Sequence, residues 1–126
     1  MLKIRGEQLA ALQASMEERF VTRMQEHARE WFPAACAVLT LEELTARIRN
    51  GIARARGYGF TSEEDHCRFI DLSFVLGEHF DDDPALPWVA EILGQRAASP
   101  GDTMRFLYAE AQQRLAPRPQ RMPVEP

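Results

Sequence analysis

Apolar side chains in the first quarter of the chain recur with helical spacing. From Glu7 to Trp31 they fall at Leu9, Leu12, Met16, Phe20, Met24 and Trp31, in steps of three, four, four, four and seven residues. This places them on one face of a single long amphipathic helix. Pro33 predicts its end, because the residue before a proline is pushed out of the helical region. An open apolar stripe of this length would drive association, so Leu9, Met16, Phe20 and Met24 are expected to be largely buried.

A second helix is predicted from Thr40, whose hydroxyl and Glu43 three residues on form a capping box. Its buried stripe is Leu41, Leu44, Ile48, Ile52 and Ala55, and Gly57 is its natural stop. A third helix is expected over residues 62–79, capped by Thr61 with Glu64. Its apolar residues Phe69, Ile70, Leu72, Phe74, Val75 and Leu76 cover more than one face, as in a central helix enclosed by neighbours. Asp81, Asp82, Asp83 and Pro84 terminate it.

Pro87 can open a fourth, shorter helix carrying Trp88, Val89, Ile92 and Leu93. Ser99 and Pro100 form an N-cap and first-turn pair for a fifth, with Met104, Leu107, Tyr108, Ala111 and Leu115. No run alternates apolar and polar residues as a half-buried strand does, and no internal repeat is found. The expected fold is all-α, a single-domain orthogonal bundle of about five helices over residues 1–115. Residues 116–126, rich in proline and arginine, are expected to remain a flexible, unpacked tail.

At 126 residues the chain can bury a core without metal or disulfide staples. A net charge of -4 and a pI near 5.4 argue against a general nucleic-acid binder. Lys3 is the only lysine; every other basic side chain is arginine. Arg47, Arg49, Arg54 and Arg56, followed by a glycine-containing turn, invite a helix-turn-helix reading. The next helix opens with Glu63, Glu64 and Asp65, which would present carboxylates to phosphate, so a solvated arginine face is preferred. No secretory h-region or membrane-length apolar run is found, and the chain is expected to be cytoplasmic. Cys36 and Cys67 lack metal or redox spacing and read as small apolar side chains in a reducing compartment.

Candidate chemistry is sparse. His66 and Cys67 are neighbours on one helix and point about 100° apart, and His79 completes no repeating ligand spacing. Cys67 is therefore read as a core-edge thiol, His66 and His79 as partly exposed, and no catalytic residue, metal or cofactor is expected. The cluster Glu78, Asp81, Asp82 and Asp83 lacks the ligand order and glycine turn of a calcium loop. Its carboxylates lie at the unfavourable end of a helix dipole, which leaves room for an arginine-bearing partner. With Trp88 as an aromatic anchor these residues form a candidate partner-binding turn. Alternatively, Phe80 and Trp88 are core residues pinning two helices and the aspartates only solvate the connection.

The stretch YGFTSEEDHCRFIDLSFVLGEHFDDDPALPW resembles the pattern of a small bacterial helical family associated with type VI secretion loci. The matching positions are Tyr58, Gly59, Thr61, Glu64, Asp65, Gly77, Phe80, Asp81, Asp83, Pro84, Pro87 and Trp88. Members are found beside spike proteins, effector-loading adaptors and toxins. The resemblance implies a non-enzymatic accessory factor or co-chaperone that binds a secretion adaptor, chaperone or effector; no nucleic-acid or membrane partner is expected. The alternative is an immunity protein that neutralises a cognate toxin.

Overall fold

The computed structural model describes residues 5–95 and 99–115; the tail expected over residues 116–126 lies outside them. The described residues form α1 (Gly6–Trp31), α2 (Pro33–Ala37), α3 (Leu41–Gly57), α4 (Glu63–Leu76), a 3₁₀ turn (Phe80–Asp82), α5 (Pro87–Gly94) and α6 (Pro100–Leu115). No strand occurs among them, and the fold is all-α. No helix among the described residues is long and apolar enough to cross a membrane.

Local chemistry accounts for most boundaries. Thr40 Oγ1 accepts from Glu43 N at 3.1 Å while Glu43 Oε1 accepts from Thr40 N at 3.0 Å, closing the capping box of α3. Ser99 Oγ accepts from Asp102 N at 3.2 Å at the start of α6, and Pro87 opens α5. The cap of α4 is displaced by one residue from expectation: Ser62, not Thr61, accepts from the backbone, from Asp65 N at 3.1 Å. A helix whose last turn was expected to reach His79 ends instead at Leu76. Gly77 adopts φ +120°, a conformation that favours glycine, and the chain then turns into the 3₁₀ segment. The five-residue α2, opened by Pro33, carries no helical periodicity to reveal it.

Two apolar clusters share α4. On one side Ile70 packs with Phe20, Val21 and Met24 of α1 and Leu44, Ile48 and Ile52 of α3. On the other, Phe69 and Leu72 pack with Phe60, Phe80, Val89, Met104 and Leu107. The expectation that α4 is central therefore holds. Gly51 lets α3 and α4 approach closely, since a Cβ there would lie 2.8 Å from Ile70 Cγ1. Phe74, expected in the core, is only partly buried: it stacks on Phe32 at 5.0 Å between centroids and lies under the Arg47 guanidinium at 4.2 Å.

The expected burial of the α1 stripe is corrected. Phe20 and Met24 are buried, but Leu9, Leu12 and Met16 are 45, 53 and 50% exposed, and Trp31 65%. The buried residues of α1 all lie between Phe20 and Ala28, so its first three turns lie beyond the neighbours that cover the rest.

Candidate functional site

The acid-rich turn is built from inside the chain. Asp81 is buried, and its carboxylate accepts from Arg54 Nε at 3.0 Å, Arg54 Nη2 at 2.5 Å and the Tyr58 hydroxyl at 2.8 Å. The Arg54 guanidinium is held above its ordinary pKa, chiefly by this hydrogen bond. Burial, and then the bond to Asp81, push the Tyr58 phenol up to about 12. Arg54 Nη1 also donates to His79 Nδ1 at 3.0 Å.

Asp81 is thus no free carboxylate for a partner, which corrects its expected exposure. Asp83 Oδ1 accepts from Ala85 N at 2.9 Å and shapes the turn before Pro87. Trp88 is partly buried against the α4–α6 core, with the Arg114 guanidinium 4.7 Å from its ring centroid. Only Glu78 and Asp82 stand open to solvent, Asp82 with a 3.3 Å contact to Arg54.

The arginines of α3, expected as a solvated face, reach across to other elements. Arg47 Nη2 donates to Ser73 O at 2.7 Å; Arg49 pairs with Glu17 and Glu18, and Arg56 with Glu17 at 2.9 Å. Each of these arginines has an acidic or carbonyl partner, while the Arg49 and Arg56 side chains stay 39 and 56% exposed. His66 is likewise corrected from partly exposed to buried: its Nε2–H donates to Phe60 O at 2.6 Å and fastens the loop between α3 and α4.

Two surface features remain. A mostly apolar cleft of about 580 Å³ lies between the last turns of α1, the outer face of α4 and α6. Trp31, Phe32, Leu72, Val75, Tyr108 and Leu115 contribute its apolar lining, and His27 with Asp71 its polar groups. His27 Nε2–H donates to Asp71 Oδ1 at 2.8 Å, and Cys67 Sγ lies 4.0 Å from the same nitrogen. Burial raises the Asp71 pKa against the opposing effect of His27, and burial pushes the Cys67 thiol up to about 11.

With its thiol pushed up by burial, Cys67 is held in the protonated form, which disfavours a thiolate. Sequence inspection missed the grouping. Cys67 and Asp71 have the i, i+4 spacing that puts them on one face of α4, but His27 lies forty residues from Cys67 on another helix.

The second feature is a groove of about 730 Å³ beside the outer half of α1. Met16, Phe20 and Ile52 supply apolar surface, with Gln13, Arg56 and Glu63 among its polar lining. Comparison with protein-family models, curated proteins and solved structures finds no match to this chain.

Proposed function

We propose that this chain is a non-enzymatic protein-binding module that takes an amphipathic helix of a partner protein along the outer half of α1. The observation that carries the reading is the continuation of one apolar line, Leu9–Leu12–Met16, out of the buried positions Phe20 and Met24. The inner half of this line is covered by helices α3 and α4. A further helix beside α1 is the occupant that continues the same packing, and it would span about 20 Å, the length of thirteen helical residues. The adjoining groove, lined by Met16, Ile52, Arg56 and Glu63, fits an apolar anchor flanked by charges of both signs.

The narrower reading, an accessory factor in type VI secretion effector loading, rests on the motif resemblance between Tyr58 and Trp88. Within the chain these motif positions have local work: Tyr58 bonds Asp81, Phe80 is core, Asp83 shapes a turn and Pro87 starts a helix. The motif therefore accounts for the turn's architecture, and α1 is the better candidate for partner contact. An immunity protein is the runner-up within the same binding class.

The test is co-expression of the full chain with the proteins encoded beside its gene, followed by co-purification. Leu9→Lys with Met16→Lys should abolish capture and leave the melting temperature nearly unchanged, because both side chains are exposed. Glu78→Lys with Asp82→Lys should capture as the wild type does. Capture that survives the α1 double variant, or a wild-type homodimer that the variant splits, refutes the partner-helix reading. Rescue of cells from a co-expressed toxin would select immunity over effector loading.

A further inference from the structure

We propose that His27, Cys67 and Asp71 form a binding site for a divalent transition-metal ion of the zinc type. It is the one grouping of three such side chains among the described residues whose donor atoms all lie within 4.8 Å of one another. The site is independent of the α1 docking surface, since it sits at the opposite end of that helix.

The geometry is close to a coordination shell. Tetrahedral zinc with metal–nitrogen and metal–oxygen bonds of about 2.0 Å and a metal–sulfur bond of about 2.3 Å separates N from O by about 3.3 Å and N from S by about 3.5 Å. The corresponding separations here are 2.8 Å for His27 Nε2 to Asp71 Oδ1 and 4.0 Å for His27 Nε2 to Cys67 Sγ. Opening one by about half an ångström and closing the other by as much forms these two edges, a change within reach of side-chain rotation. The rigid part of the site is already set, because Cys67 and Asp71 are one turn apart on α4 and α1 packs against that helix.

The donor set selects the ion. One thiol, one imidazole and one carboxylate suit zinc and its neighbours, whereas magnesium and calcium take oxygen ligands. Binding forms the metal–sulfur bond as the thiol proton leaves to solvent, and the ion replaces the imidazole N–H···carboxylate contact once His27 carries its ring proton on the other nitrogen. Three protein ligands leave a fourth position open, the arrangement in which zinc holds a water or an exogenous ligand. His27 and Asp71 line the cleft, so that position faces a mostly apolar space between α4 and α6. A small ligand with one metal-binding atom and an apolar body matches it.

The experiment is a titration of the purified, untagged full chain with zinc by calorimetry, and with cobalt(II) as a spectroscopic probe. One equivalent should bind, and cobalt should show a thiolate-to-metal charge-transfer band together with the intense visible bands of a tetrahedral ion. Cys67→Ser should remove the charge-transfer band, and His27→Gln and Asp71→Asn should each weaken zinc binding at least about tenfold. Cys36→Ser should change neither result. Circular dichroism establishes that each variant is folded, and His27→Gln decides the matter if the serine variant is not. Absence of saturable one-to-one zinc binding by the wild type overturns the proposal. So does affinity retained in folded His27→Gln, or a charge-transfer band that follows Cys36.

Discussion

Replacing Asp81 by alanine should be among the most damaging polar substitutions in this chain. Its carboxylate accepts three hydrogen bonds, two from Arg54 and one from Tyr58, and its side chain is only 4% exposed while that of Arg54 is 22% exposed. Removing one member of a fully buried ion pair destabilises by roughly 3 to 5 kcal/mol, because the remaining charge keeps its desolvation penalty. Partial hydration of Arg54 lowers this to about 2 to 3 kcal/mol, and the lost acceptor of the Tyr58 hydroxyl adds about 1 kcal/mol. The expected loss is therefore about 3 to 4 kcal/mol, or roughly 12 to 16 °C in melting temperature for a domain of this length. Asp82, 70% exposed, should change stability by less than about 0.5 kcal/mol on the same substitution. Urea and thermal unfolding followed by far-ultraviolet circular dichroism measure both. A double-mutant cycle with Arg54→Ala should show coupling of about 1 to 3 kcal/mol. If Asp81→Ala lies within about 1 kcal/mol of the wild type, or if the cycle is additive, the turn is not anchored by this pair.

Tyr58 makes stability fall in alkali. Its folded pKa is raised from 10.0 to about 12, so its contribution is present in full below pH 10 and is lost as the pH rises towards 12. Cys67, raised from 9.0 to about 11, contributes a slope of the same sign, so the comparison belongs in a Cys67→Ser background. There Tyr58→Phe should flatten the dependence of the urea midpoint on pH between 10 and 12; an unchanged slope refutes the assignment. Gly51→Ala should destabilise by roughly 1 to 3 kcal/mol despite its better helix propensity, because the new methyl meets Ile70 at 2.8 Å. A stabilised alanine variant would mean that α3 and α4 separate readily.

The helices were legible where their signals are local. Thr40 with Glu43, Pro87, and Ser99 with Pro100 each act within one turn of their own position, and each opens its helix as expected. Gly77 is a local signal of the same kind as Gly57: a glycine with positive φ just past Leu76 ends α4, three residues short of the expected His79. The α1 stripe shows the limit of that information. Periodicity reports which face of a helix is apolar, but how far along the helix that face is covered depends on the lengths of the helices packed against it. Leu9 and Phe20 therefore look alike in sequence and differ in burial. The grouping of His27 with Cys67 and Asp71 is a tertiary fact, and only the Cys67–Asp71 half has a spacing that can be read.

The near-absence of lysine gains a physical reason from α3. Arg47 uses one nitrogen on the Ser73 carbonyl while its plane lies over Phe74; its Nε is buried without a hydrogen-bond partner. Arg54 forks between Asp81 and His79, and Arg49 spans Glu17 and Glu18. Each arrangement needs either a flat cation that stacks or several donors held at fixed angles, and an ammonium group offers neither. These guanidiniums join α3 to α1, to the end of α4 and to the acid-rich turn. The same engagement leaves the outer half of α1 tethered through Glu17 and Glu18 but uncovered along Leu9, Leu12 and Met16, which is a helix held in position with its apolar face free.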